Sequence, residues 1–509
     1  MQDAFTKYAK FAFSELNKDK NMQSTIPLRV INVGSEGLRA KIKQIEQHEA
    51  FFKLTKETRV AYGNGYHKYG NEKSSFHQEI WVGALQNFFR RSGFYLNCFE
   101  GISFDPEKLF NLYCQSFSRK EMQITYLAPI ASVELDIGKE VVEFNGFTIR
   151  QFSELDKNSW QALNRVNEVF YPGAVIDLDD ALNKRLIADY SFLIKVVSSP
   201  IPRLVKDNDF FNLAEMERHR VEFSNYSEIE DALKQMVLFD WESQFFDNGI
   251  GFDVPLIFNF DDNLLGHPRF APDLSFLATV PDIWVDPLSG EEIEKEKVPF
   301  LFYLTPKETH ELRQFLKSIG KTLASLKRKG PGWEFIEVAL GFLLKAFFSK
   351  GIEQLLWHIT VIESLLGEKV DELNTKLSER LSRIWGDTST GICFKKLYDY
   401  RCDLVHGNKK VLRNEIHEDQ LKEARVLARG TVCWFINYLS YLLDSNKSPK
   451  RSNVLKIIDG DEANNDSLTD VFACLPENFP SIRKWLGLRE EHAQKFSNKE
   501  NFSSDKNRQ

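Results

Sequence analysis

An arginine and a histidine with four residues between them are the first candidates for chemistry in this sequence. They are Arg401 and His406, in the stretch KKLYDYRCDLVHG that covers 395–407. Histidine can transfer protons near neutral pH, because its unperturbed pKa is about 6.5. Arginine stays protonated, and its planar guanidinium matches the oxygens of a phosphate. Together the two side chains could move a proton and stabilise negative charge at phosphorus.

The helix predicted around Arg401 places this arginine on an apolar stripe. Four residues follow one another at spacings of four, three and one, which is typical of a helix face turned toward a core: Leu397, Arg401, Leu404 and Val405. Arg401 therefore stands where a leucine would be expected. Because burying a guanidinium is costly unless a partner balances it, the position needs an explanation.

The spacing of Arg401 and His406 leaves two geometries open. Five residue steps turn a regular helix by about 140° net, so the two side chains of one chain would point to different sides. In the first geometry the last turn distorts before Gly407, which can take the left-handed conformation of a helix C-cap. In the second, Arg401 and His406 cooperate across a dimer, and the stripe meets a second copy of the chain.

A purely structural role for Arg401 is the competing interpretation. Glu363 lies at the edge of another predicted apolar stripe, three residues before Leu366. It could pair with Arg401 or with Arg380. Since such a pair would serve structure and catalysis equally well, we predict Glu363 to be a supporting residue only.

The elements around the pair indicate an α+β chain with a β-rich mixed region followed by an all-α helical bundle. Val133 and Leu135 alternate with acidic residues as in a half-buried strand, and Asn145-Gly146 predicts a type I′ hairpin turn. From Thr305, a predicted N-cap followed by proline, the sequence has a helical period. Helices are predicted over 307–328, 333–348, 351–366, 371–385, 391–406 and 417–443. The predicted divisions are a mixed α/β segment 1–125, a β-rich sensor or regulatory domain 126–300, a bundle 301–450 and a polar extension 451–509 with a disordered end.

Charge and composition limit the classes of function. The formal net charge of −7 argues against a protein that coats nucleic acid over its whole surface. The predicted bundle, 301–450, nevertheless has 24 Lys and Arg against 18 Asp and Glu, so a polyanion could dock there. The six cysteines contain no CxxC pair, and reduced thiols in a cytoplasm are expected. We predict a cytoplasmic protein with no signal peptide and no membrane span.

The sequence around Arg401 resembles a known family. RCDLVHG is similar to the Rx4–6H motif of HEPN domains. The preceding stretches ITVIESLLGEK and LNTKLSERLSRIWG, followed by FKKLYDYRCDLVHGNKK, resemble the Apea-like HEPN family of bacterial abortive-infection proteins. The resemblance covers roughly 305–445. It implies that the predicted bundle is a HEPN bundle.

The resemblance also implies an activity, a partner and a substrate. It implies a homodimeric, metal-independent endoribonuclease of anti-phage defence, a toxin to its own cell that a phage-derived trigger activates. The two motifs would meet at the dimer interface, with Arg401 and His406 as the catalytic residues. The 2′-hydroxyl of the RNA would attack, leaving a cyclic phosphate and a free 5′-hydroxyl. Cellular RNA, with tRNA as one candidate, is the implied substrate.

Residues beside the motif receive weaker assignments. Cys402 and Asp403 occupy its variable positions as supporting residues, although Asp403 also fits a solvated helix face. Cys402 departs from the polar residue that many HEPN proteins carry after the arginine. Lys409, Lys410 and Arg413 could hold flanking RNA phosphates, although a charge run after a helix is usually only solvated.

Other chemistries find less support in the sequence. Cys402 and His406 have a metal-ligand spacing, but a second pair is missing, so neither zinc nor another cofactor is expected. The glycine-rich stretch YGNGYHKYG, 62–70, matches neither a dinucleotide fingerprint nor a P-loop. Two further functions stay open: a non-catalytic HEPN module that binds RNA or protein, and a helical dimer with a structural role only.

Overall fold

The structure is a computed structural model of the full 509-residue chain. The residues that it describes are 1–18, 31–62, 75–130, 132–135, 141–151, 166, 169–171, 191–201, 229–239, 241, 252, 254, 257–267, 281–285, 292–296, 300–328, 332–369, 372–406, 418–444 and 450–460. The predicted loop at 63–70, the predicted phosphate-binding residues at 409, 410 and 413, and the predicted disordered end all lie outside these residues.

The N-terminal part is helical and has its own aromatic core. Its helices are α1 Gln2–Asn17, α2 Ile31–Glu46, α3 Glu49–Tyr62, α4 Ser75–Arg91, α5 Phe94–Phe99 and α6 Pro106–Ser118. Asp105 caps α6 by accepting from the amides of Glu107 and Lys108, with proline at the first helical position. The buried rings include Phe5, Tyr8, Phe51, Phe88, Phe89, Tyr95 and Tyr113. The described part of 1–125 is therefore helical as far as Ser118, and strand β1 begins at Glu121.

A five-stranded antiparallel sheet follows, in the order β3-β4-β5-β1-β6. Its strands are β1 Glu121–Ile130, β3 Val142–Phe144, β4 Phe147–Gln151, β5 Ser191–Pro200 and β6 Phe258–Asp261. Strands β3 and β4 form the predicted hairpin, with φ of 45° at Asn145 and 82° at Gly146, as a type I′ turn requires. Two smaller pairs join β2 Ser132–Leu135 in parallel to β9 Phe300–Leu304, and β7 Pro281–Val285 to β8 Glu292–Glu296.

The helical bundle agrees closely with the sequence pattern. After the short helix α7 Glu230–Met236, its helices are α8 Pro306–Arg328, α9 Glu334–Phe348, α10 Gly351–Leu366, α11 Leu373–Trp385, α12 Thr388–Val405 and α13 Glu418–Asp444. Thr305 caps α8 as predicted, because its hydroxyl accepts from the Glu308 amide and the Glu308 carboxylate accepts from the Thr305 amide. The chain is thus α+β, with helices and strands in the predicted order.

The sheet and the bundle share one hydrophobic core. Buried residues of the sheet, such as Ile130 and Phe144, belong to the same cluster as Leu316 of α8 and Trp434 of α13. Strand β9 runs into α8 with only Thr305 between them. The predicted division at residue 301 therefore falls inside β9, and the hydrophobic core is continuous across it.

The predicted polar extension begins with a helix that packs on the bundle. Helix α14, Arg451–Asp459, buries an apolar face formed by Val454, Leu455, Ile457 and Ile458. It contacts α11. In the part of the chain that the structure describes, no helix is both long and apolar enough to cross a bilayer.

Candidate active site

Helix α12 carries the Arg401/His406 motif and stays regular to its end. It starts at the N-cap Asp387, whose carboxylate accepts from the Ser389 amide at 2.9 Å. It ends with the His406 amide donating to the Cys402 carbonyl at 2.9 Å, an ordinary helical bond. His406 has φ −84° and ψ 5°, so the chain has not reversed at that residue. The separation of about 140° between Arg401 and His406 expected for a regular helix is therefore retained.

The predicted apolar stripe is only partly correct. Leu397 and Leu404 are buried, as predicted, and Arg401 is half-buried with 28% of its side chain exposed. Val405 was predicted on the buried stripe, and this is wrong: it is 56% exposed. The reason is geometric, because Val405 lies about 80° around the helix from Leu397, whereas Leu404 lies only about 20° away.

Glu363 of α10 is the partner of Arg401, at an unusual distance. The shortest N–O distance between the two side chains is 3.9 Å, and 22% of the Glu363 side chain is exposed. A hydrogen bond between these groups would have a length of about 2.7–3.2 Å. The carboxylate thus balances the charge of Arg401 without taking up its N–H donors.

Tyr398 completes this cluster, and sequence reasoning missed it. Its ring centre lies 5.7 Å from Cζ of Arg401, one helical turn away, in a cation–π contact. Burial raises the pKa of Tyr398 to about 12, and the charge of Glu363 and a hydrogen bond with it add to the effect. The i, i+3 spacing of Tyr398 and Arg401 was the available signal. Glu363 is therefore held by Tyr398 while Arg401 lies over the ring.

The remaining predicted residues lie on the outer side of α12. His406 and Asp403 are exposed, and Cys402 is half-buried. Around the helix axis, the arc of about 140° between Arg401 and His406 contains the side chains of Val405, Tyr398 and Cys402. We call these residues the motif face: Tyr398, Arg401, Cys402, Val405 and His406.

The alternative pairing of Glu363 with Arg380 is wrong. Arg380 of α11 is buried, with 1% of its side chain exposed, and it donates to Asp459 at 2.6 and 2.9 Å and to Glu368 at 2.5 Å. It also donates to the Leu366 carbonyl at the end of α10. We call Arg380 with Glu368 and Asp459 the Arg380 clamp. By holding the end of α10 against α11 and α14, the clamp fixes the helix that presents Glu363.

An open groove adjoins the motif face. It runs between the end of α10, the start of α11 and the start of α14, and we call it the α10–α11 groove. Arg451 lies in it and donates to the carbonyls of Leu365 and Gly367, which the end of α10 leaves without helical partners. The residues that line it are Glu363, Gly367, Glu368, Lys369, Leu373 and Arg451.

Comparison with known proteins finds no relative whose site could be compared with this geometry. No protein-family model, curated protein or solved structure matches the chain. Among the described residues, no group of three or more His, Cys, Asp or Glu is arranged to hold a metal ion. The features of this chain that could support a function are therefore the motif face, its Glu363 partner and the adjacent groove.

Proposed function

We propose that this chain is a metal-independent endoribonuclease of the HEPN type that acts in anti-phage defence by abortive infection. Its substrate is cellular RNA, with tRNA as the first candidate. Its helices α8–α13 form the HEPN bundle, and a phage-derived trigger activates it. Arg401 and His406 are its catalytic residues.

The observation that carries this proposal is the state of Arg401. It is half-exposed, and its carboxylate partner stands 3.9 Å away, beyond hydrogen-bonding distance. A structural arginine is expected to resemble Arg380, which is buried and bonded on several sides. The N–H donors of Arg401 that face away from Glu363 can instead bind two phosphate oxygens.

The proposed reaction needs only groups of the protein and the RNA itself. The 2′-hydroxyl attacks the adjacent phosphorus and loses its proton, while the 5′-oxygen leaves and gains one. The exposed imidazole of His406 accepts the proton of the 2′-hydroxyl and then donates a proton to the leaving 5′-oxygen, since histidine can both accept and donate near neutral pH. Arg401 stabilises the charge that develops on the phosphorus oxygens. The products are a cyclic phosphate and a free 5′-hydroxyl.

A second copy of the chain brings the two groups together in this proposal. Arg401 and His406 of one chain diverge by about 140°, so one phosphate is served best by Arg401 from one copy and His406 from the other. The exposed Val405 lies in the arc between them and offers an apolar contact for the twin helix. We expect Val405→Glu to shift the protein from dimer to monomer in sedimentation analysis and to lower cleavage at least tenfold. A dimer unaffected by Val405→Glu would contradict this arrangement.

RNA cleavage in EDTA by the wild type, Arg401→Ala and His406→Ala tests the nuclease. We expect wild type to produce cyclic-phosphate ends and each variant to lose about 100-fold or more in rate. Lys10→Ala, which changes an exposed lysine of α1, is the control and should cut like wild type. Undiminished cutting by both motif variants would end the assignment.

A non-catalytic module is the second candidate, and the exposed Val405 favours it, since an apolar side chain on the motif face suits a protein contact. In that case wild type would retain RNA or a protein partner without generating products. Arg401→Ala would then weaken retention, whereas His406→Ala would leave it nearly unchanged.

A further inference from the structure

The α10–α11 groove is continuous with the proposed catalytic site. Glu363 faces Arg401 on one side and lines the groove on the other. A strand whose phosphate lies at Arg401 would therefore continue past Glu363 into the groove. This continuity raises the question of which ligand the charges of the groove suit.

The acidic side chains of the groove are already balanced. Glu368 is bonded to Arg380 at 2.5 Å, and Glu363 faces Arg401 at 3.9 Å. Asp459, the other acidic member of the Arg380 clamp, also pairs with Lys376 at 3.3 Å. Lys369 and Arg451 then add two further positive charges. Within the described residues, the groove and its ion pairs thus contain five cations and three carboxylates.

Arg451 is held in this groove by backbone rather than by a carboxylate. Its guanidinium donates to the carbonyls of Leu365 and Gly367. Burial lowers the pKa of Arg451, and the charge of Arg380 adds to this although Glu368 opposes it. An arginine engaged in a close ion pair would show the opposite direction. Arg451 therefore adds a positive charge at the start of α14 that no close ion pair among the described residues neutralises.

We infer that the α10–α11 groove binds the ribose-phosphate backbone of the RNA strand next to the cleaved phosphate. Lys369, which is exposed, and Arg451 supply the cations that contact the phosphates. The inference rests on the proposed nuclease and extends it, because it adds a flanking subsite formed by α10, α11 and α14. Backbone contacts of this kind give affinity without sequence preference.

Binding of a strand that cannot be cut tests the subsite separately from catalysis. The probe is a fluorescent single-stranded RNA of about 12 nucleotides with 2′-O-methyl groups throughout, which removes the attacking hydroxyl. Fluorescence anisotropy with the full-length chain compares wild type and Lys369→Glu between about 50 and about 200 mM salt. Lys10→Glu on α1 is the matched control, since it makes the same charge change on a helix of the other core.

We expect Lys369→Glu to bind roughly tenfold more weakly than wild type at the lower salt, since charge reversal turns a phosphate contact into a repulsion. The slope of the logarithm of its binding constant against the logarithm of salt concentration should fall in magnitude by about one. Lys10→Glu should behave like wild type. Equal affinities for Lys369→Glu and Lys10→Glu would overturn the subsite while leaving the nuclease untouched. A different outcome is that Lys369→Glu binds more weakly than wild type, but wild type does not cut unmodified RNA. That outcome would support the subsite and contradict the nuclease.

Discussion

Two arginines of neighbouring helices, Arg380 on α11 and Arg401 on α12, have their positive charges balanced in opposite ways. Arg380 is buried and bonded to two carboxylates and a backbone carbonyl. Arg401 is 28% exposed, lies over the ring of Tyr398 and has its carboxylate 3.9 Å away. The first arrangement engages all three guanidinium nitrogens within the protein, and the second leaves N–H donors for a ligand. The bonds of Arg380 to buried acceptors suit a structural role, whereas the unbonded donors of Arg401 suit the binding role that we propose.

The largest expected effect is the loss of the Arg380 clamp. Arg380→Ala removes the buried donors that bond Glu368, Asp459 and the Leu366 carbonyl, although Glu368 is 40% exposed and Asp459 keeps Lys376. We expect the free energy of unfolding to fall by about 2–3 kcal/mol. Arg401→Ala should change it by no more than about 1 kcal/mol, because that pair is loose and half-exposed. Urea unfolding of both variants measures the contrast.

Arg383→Ala is the control for the clamp, since Arg383 is an exposed arginine of the same helix that donates to the Ile458 carbonyl. It should lose about 1 kcal/mol. If Arg401→Ala destabilised the chain as much as Arg380→Ala, the two arginines would have the same role and the comparison would fail.

Glu363→Gln removes the carboxylate that balances Arg401 and leaves the arginine in place. Glu363→Gln keeps a side chain that can bond to Tyr398 but no longer balances Arg401. We expect the affinity for uncleavable RNA to rise about threefold at low salt, with the gain disappearing as salt screens it. Anisotropy titrations measure it, with Glu353→Gln on the exposed side of α10 as control. A fall in affinity would mean that Glu363 helps to bind RNA rather than competing with it.

Tyr398→Phe should lower the affinity for RNA, and by less than Glu363→Gln raises it. The ring under Arg401 remains, but the hydrogen bond with Glu363 is lost, so the carboxylate can move closer to the guanidinium. We expect RNA affinity to fall about twofold and the free energy of unfolding to fall by about 1 kcal/mol. The double variant Glu363→Gln with Tyr398→Phe should bind like Glu363→Gln alone. Any further loss of affinity in the double variant would show that Tyr398 acts on RNA independently of Glu363.

Local signals in the sequence were sufficient for the bundle helices and the hairpin. Thr305 and Glu308 cap α8, Gly386 ends α11 with φ of 65°, and Asn145-Gly146 forms the turn. Each signal acts over a few residues, so periodicity and capping chemistry are enough to find it.

The site itself depends on contacts that sequence cannot supply. Asp459 reaches Arg380 from 79 residues away, and nothing in the local pattern of either residue indicates the other. Glu363 was found as a candidate, but its choice between Arg380 and Arg401 is decided by how α10, α11 and α14 pack. Val405 was misplaced because its offset of about 80° from Leu397 puts it outside the buried face of α12, where it is 56% exposed.

The smallest expected effect is a pH dependence of the free energy of unfolding, which arises from Asp459 in the Arg380 clamp. Burial by itself would raise the pKa of Asp459, but hydrogen bonds from Arg380 and Lys376 outweigh it and hold the pKa below its ordinary value. A carboxyl with a lowered folded pKa contributes stability above its unfolded pKa of about 3.9 and loses it as pH falls through the folded value. The difference in unfolding free energy between wild type and Asp459→Asn should therefore be constant from neutral pH to about pH 5 and then shrink by less than about 1 kcal/mol on further acidification. Urea midpoints of the two proteins across this range measure it.

Glu363→Gln serves as the comparison, since no such clamp holds Glu363. A difference for Asp459→Asn that grew on acidification would mean that the clamp prefers the protonated acid, and Arg380 would then have to be fixed by its backbone and Glu368 contacts instead.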